Sequence, residues 1–384
     1  MRVLLAPDRF SGTLDAVQAA RALAEGWRQT APQDEISVAA MSDGAAGLLD
    51  AVHAAVGGEL IPVRASGPLG EQTAAAVLHV APTAPQDGAG TAYVEAGQVL
   101  GTQLLEEAQR REAFDHGSSA CLASLLEAAL DTGASRLVIG LPAMSSVHDG
   151  GRGLLEAWGG LTQARERLAG RDVVLALADD IPLLGLHGAG VASGELSVIG
   201  PERAQQRERE LASWAADRER EAQHVSTRRH LLGSPVPGVP GERLATSAGT
   251  GAGGGVAFAL RLAGARALPG ADVVAAAVEL RRLVEGSDLV LTGGAVLDVR
   301  ALADSVTATV ARTALPLAIP VVVLAEELHT SRREIAPLGI AGAYEVQERR
   351  RSGPSPAEGP GRAGADPRGA LSERAARLAR TWSH

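Results

Sequence analysis

The sequence predicts a soluble α/β protein of two structural parts, built mainly on parallel strands. The chain has 384 residues, more than one ordinary domain holds. Hydrophobic residues make up 46% of it but aromatic residues only 2%, so its core must be built of Ala, Val and Leu. Small aliphatic side chains suit helices packed closely on a parallel sheet. Residues 1–60 also read strand, loop, helix, strand, loop, helix, which is the parallel-sheet pattern.

Residues 2–6 form a short apolar run that ends at Pro7-Asp8, as a buried strand does when it leaves its carboxyl end at a loop. Thr13 or Asp15 can cap the following helix, which runs to about Gln29. A second strand at 36–41 ends in Ser42-Asp43-Gly44-Ala45-Ala46-Gly47 and enters a helix to about Val56. Strands at 59–66 and 74–80 flank the turn Gly67-Pro68-Leu69-Gly70. Further strands are predicted at 91–96, 136–141, 172–178, 288–291 and 320–325. Residues 118–130 read as a helix with Gly133 beyond its end. The stretch 202–232 carries Glu and Arg at helical spacing, with Leu211 and Trp214 as apolar contacts, and reads as a solvated helix. Residues 234–241 are a loop, and Gly249 to Gly255 enter an Ala/Leu helix. Arg, Gly and Pro crowd 349–369, which predicts a disordered loop before a last helix at 370–382.

A formal charge of −9 and a pI near 5.6 argue against nucleic acid as a partner. No apolar run is long enough to span a bilayer, and the start lacks a signal peptide's apolar region and cleavage site. The cytoplasm is the expected compartment. Cys121 is the single cysteine, which excludes an internal disulfide framework and reads as a small buried residue. The sequence holds neither Lys nor Asn, so all 36 positive side chains are Arg. No lysine ammonium can bind phosphate or act as a base. Any phosphate contact must come from backbone N–H groups, Arg, hydroxyls or a metal.

Several strand ends share one design: 8–13, 42–47, 148–151 and 292–298 place Asp, Gly or Thr where an apolar strand stops. Open α/β sheets bind ligands at the carboxyl ends of their strands. Glycines there let backbone N–H groups approach a phosphate. Carboxylates at that edge hold Mg²⁺ or accept a hydroxyl proton. Asp15, Asp50 and Asp87 read instead as turn formers or caps. Gly249 to Gly254 fits G-x-G-x-x-G, but the preceding 243–248 is polar, which argues against a dinucleotide site. A phosphate-binding helix start and plain close packing both stay open for it. His148, beside Asp149, reads as a loop hydrogen-bonder rather than a base.

The order of these loops resembles the bacterial type I glycerate kinase family, to about Val346. Ala6-Pro7-Asp8-Arg9-Phe10-Ser11-Gly12-Thr13-Leu14 is similar to its A-P-D-S-F-K-G-S-L, and 41–47 to its M-A-D-G-G-E-G. Residues 139–151 resemble I-G-L-G-G-S-A-T-N-D-G-G with one extra residue, and 180–185 resemble D-N-P-L-L-G. Residues 249–255 are similar to G-A-G-A-A-G-G, and 288–298 to D-L-V-I-T-G-E-G-R-L-D. The charged loop residues depart from the pattern. Ser11 stands at the family's Lys, Ala46 at its Glu, and His148 and Ile181 at Asn positions. Gly294-Ala295-Val296 replaces E-G-R, and Asp304-Ser305 lies near the later G-K.

The resemblance implies a Rossmann-like domain from both chain ends (1–66 and 286–384), with an α/β domain inserted at 67–285 and the site in the cleft between. It also implies transfer of the γ-phosphoryl of ATP to D-glycerate, with Mg²⁺, giving 2-phosphoglycerate. On that basis Asp43, Asp149, Asp298 and Arg9 are the expected catalytic residues. Asp8 and Asp180 are the expected metal ligands. Gly249, Gly251, Gly253, Gly254, Thr292 and Gly293 would cradle phosphates. Arg152 and Arg300 are further cations for the cleft. The partners are a small hydroxy acid and a nucleotide, with no nucleic acid and no membrane. The lost charged residues support a second expectation, a non-catalytic homologue that binds a hydroxy acid or nucleotide.

Overall fold

The computed structural model describes residues 1–10, 14–84, 88–194, 198–229, 243–347 and 366–383. Ser11, Thr13, Asp87, 230–232, the 234–241 loop and the 349–365 part of the Arg/Gly/Pro stretch lie outside them. The strands are β1 Arg2–Pro7, β2 Glu35–Val38, β3 Glu59–Ser66, β4 Gln72–Val80, β5 Thr91–Glu95 and β6 Arg136–Leu141. They continue with β7 Asp172–Leu177, β8 Arg266–Pro269, β9 Leu289–Leu297, β10 Val321–Leu328 and β11 Ile340–Glu345. No described helix is long and apolar enough to cross a membrane.

The chain divides into two units, one of Met1–Asp43, Asp50–Val56 and Ala271–His384, the other of Gly44–Leu49 and Gly57–Gly270. The boundaries drawn from the sequence at 66 and 286 differ from this division. β3 pairs with β4 along its whole length, so hydrogen bonding ties 59–66 to the second unit. Residues 271–285 belong to the first unit, where Asp272 accepts from Thr309 and Arg312.

The first unit carries the sheet β11-β10-β9-β1-β2, parallel throughout. A strand covered on both faces reads as an unbroken apolar run, and Val3-Leu4-Leu5-Ala6 is such a run, each residue at most 1% exposed. Asp15 caps the helix Ala16–Thr30 and forms a capping box with Gln18. That helix packs on the last helix of the chain, Pro367–Trp382. The two lie so close that a Cβ on Gly26 would run into the Ser372 carbonyl.

The second unit carries the sheet β3-β4-β5-β6-β7-β8, antiparallel from β3 to β5 and parallel from β5 to β8. Its core is Ala, Val and Leu around Trp158 and Phe258, as the composition requires.

Some elements differ from expectation. β2 stops at Val38, although the Ala39 and Met41 amides still donate to the Leu5 and Pro7 carbonyls. Ser119–Leu122 is a 3₁₀ turn before the helix Ala123–Asp131. β9 runs through to Leu297, so 292–297 is strand rather than loop. Residues 367–369 open the last helix, capped by Asp366, instead of closing a loop.

Candidate functional site

In the first unit, β1 and β9 end side by side, and the Asp8 amide donates to the Gly293 carbonyl at 2.8 Å. This fixes Asp8 and Arg9 at the carboxyl edge of the sheet. The Arg9 amide donates to Asp8 Oδ1 at 2.7 Å, and its guanidinium reaches Asp43 Oδ2 at 3.4 Å. Burial first, then the neighbouring Asp43 charge, raises the proton affinity of Asp8 well above the usual carboxylate range, while Arg9 opposes both. Asp8, Arg9 and Asp43 are therefore brought together. A hollow of about 230 Å³ opens beside them, lined by Asp8, Arg9, Gly293, Gly294, Ser305 and Thr307 among others.

Two expected residues of this unit have other work. Thr292 is fully buried in β9, and its hydroxyl donates to the Ala6 carbonyl at 2.7 Å, so it is not open to a phosphate. Asp298 caps the helix Val299–Ala303 by accepting from the Ala301 amide at 2.8 Å. Arg300 lies in that short helix.

In the second unit, Asp149 is a structural tie. Its Oδ2 accepts from the Ser119 amide (2.9 Å), the Ser119 hydroxyl (2.8 Å) and the Gly153 amide (3.0 Å), and its Oδ1 from the Gly151 amide (2.8 Å). His148 is buried, with its ring stacked on Phe114 at 5.8 Å and its Nε2 without a partner among the described residues. The hydrogen-bonding role expected for it is thus not seen at Nε2. Burial, helped by the Arg207 charge, pushes its pKa down to about 4, so the ring is neutral at pH 7.

The glycine loop follows the close-packing alternative. The amides of Gly249, Gly251 and Gly253 donate to the carbonyls of Asp180, Ile181 and Pro142. The Gly254 carbonyl accepts from the Gly150 amide, and a Cβ on Gly254 would collide with the Val147 carbonyl. These groups are spent on joining loops and not on an anion. Asp180 is exposed and joins that loop through its carbonyl. It lies in the second unit and Asp8 in the first, so neither unit contains the expected metal pair. Among the described residues no three His, Cys, Asp or Glu side chains are grouped to hold a metal. Arg152 lies over Trp214 at 5.6 Å.

Sequence reasoning missed Glu95, Ser119 and Thr307. Glu95 accepts from the Gly47 amide at 3.1 Å, beside the loop where Ala46 stands. Ser305-Val306-Thr307-Ala308 carried a signal, a serine cap before an apolar helix.

The profile of the Glycerate kinase family matches residues 3–162 and 160–383. An uncharacterised protein of Mycobacterium bovis is 32% identical over 354 residues, covering 91% of this chain and 84% of that protein. The glycerate kinase of Halalkalibacterium halodurans is 27% identical, covering 90% and 91%. The glycerate 2-kinase of Escherichia coli is 26% identical, covering 90% of each. The solved structure of a putative glycerate kinase 2 from Salmonella typhimurium LT2 superposes with a TM-score of 0.74 at 23% identity, over 99% of this chain and 98% of that one.

Proposed function

Since this chain belongs to the glycerate kinase family, we propose that it transfers the γ-phosphoryl of ATP to D-glycerate and releases 2-phosphoglycerate. The observation that carries this reading is the Asp8–Arg9–Asp43 cluster beside a hollow at the sheet's carboxyl edge. Phosphoryl transfer needs positioning and charge neutralisation more than covalent chemistry. Arg9 supplies a guanidinium, and the carboxylate pair offers an acceptor for the substrate's hydroxyl proton.

Magnesium on a nucleotide is held by one or two carboxylates plus phosphate oxygens. Asp8, at the sheet's carboxyl edge beside Arg9 and Asp43, fits that donor set. It would hold Mg²⁺, which would neutralise charge on the nucleotide's phosphates, and Asp43 would accept the hydroxyl proton. The proposed compartment is the cytoplasm.

A binder without turnover is the second reading. It is favoured by the engagement of Asp149 and Asp298 in structural bonds. ADP release by purified protein with Mg·ATP and D-glycerate separates the two. Glycerate-dependent release is expected. No release, with thermal stabilisation by glycerate or ATP, would establish the binder instead.

A further inference from the structure

We propose that the hollow at the amino end of the helix Val306–Ala314 is a phosphoryl-binding subsite, with the Thr307 hydroxyl and the Val306 and Thr307 amides as donors. Ser305 caps this helix, its hydroxyl accepting from the Ala308 amide and its carbonyl from the Thr309 amide. That leaves the first two amides without a partner among the described residues. Thr307 is only 7% exposed, yet its hydroxyl also has no partner among the described residues, and it lines the hollow. The hydroxyl oxygen is not closed off from the hollow, so an acceptor-rich group placed there can take its hydrogen bond.

Gly294, also on the lining, lies close to the Asp8–Arg9 turn. A Cβ on Gly294 would sit 3.4 Å from Arg9 O and 3.5 Å from Asp8 Cβ. The charged residues of the lining are Asp8 and Arg9, which offset each other, so the helix end sets the sign of the ligand. Amides, a hydroxyl and a guanidinium are also the donors available to a chain without lysine. The phosphoryl group can belong to the nucleotide or to the phosphorylated product.

The subsite rests on the kinase reading for its role in transfer, but binding alone tests it. Calorimetric titration of the wild type, Thr307→Val and Thr307→Ser would use pyrophosphate and ADP in one arm and 2-phosphoglycerate in the other. Adenosine and D-glycerate are the phosphate-free controls. Thr307→Val is expected to weaken at least one phosphate arm about tenfold, the scale of a lost hydrogen bond to a charged group, with Thr307→Ser restoring it. The affected arm identifies the source. Unchanged binding in both arms, equal losses for the controls, or a wild type that binds no phosphate compound would overturn the proposal. If Thr307→Val does not fold, Thr307→Ala takes its place. A wild type without turnover whose phosphate binding still depends on Thr307 would sink the kinase and leave the subsite. Normal turnover and binding in Thr307→Val would sink the subsite alone.

Discussion

At the scale of single residues, His148 and Asp149 show how neighbours divide labour. His148 is held neutral by burial, with its pKa near 4 against an ordinary 6.5. The unfolded chain takes up that proton first, so His148's contribution to stability is complete above pH 6.5 and fades as pH falls toward 4. The loss is on the order of 3 kcal/mol at most. Unfolding followed between pH 7 and 4 should show a shallower decline for His148→Gln than for the wild type, and parallel curves would refute the assignment. Asp149→Ala should cost on the order of 3 kcal/mol, because four donor contacts lose their acceptor. A variant of unchanged stability but lost turnover would return Asp149 to the catalytic list.

At the scale of elements, glycine sets how near two backbones come. Gly26 lets the helix Ala16–Thr30 lie against Pro367–Trp382. Gly26→Ala should destabilise the first unit by about 1–3 kcal/mol, the usual cost of overpacking. Denaturant unfolding checks this, and no change would show that the helices can part freely. The same logic accounts for the glycines of the G-x-G-x-x-G loop. Gly253, Gly254 and Gly255 all have positive φ, and their loop is packed against 147–150 and 181–182. Sequence spacing reports the need for glycine but not whether a ligand or another backbone stands opposite.

At the scale of the whole molecule, the central strands were legible because burial on both faces leaves an unbroken apolar signature, as in 2–6 and 136–141. β8 and β11 were not, since Arg266–Pro269 and Ile340–Glu345 are short or half-exposed and carry little pattern. Of the proposed site, Asp8 and Asp43 could be named from strand-end position, and Arg9 only from the resemblance. The amide contacts of Asp149 and Asp298 could not be read from the sequence, because a cap and a base are the same residue type at the same kind of loop. Thr307 was hidden because an unpaired hydroxyl is a property of packing.

Central to all of this, Asp43 with Asp8 and Arg9 is proposed to support phosphoryl transfer without any ammonium side chain. Phosphorus NMR of D-glycerate mixed with Mg·ATP and either wild type or Asp43→Asn tests it most directly. A 2-phosphoglycerate resonance is predicted to grow with the wild type and at least about a hundredfold more slowly with the variant, the scale of a lost acid–base group. Glycerate left unphosphorylated by the wild type, or equal rates for the two proteins, would contradict it.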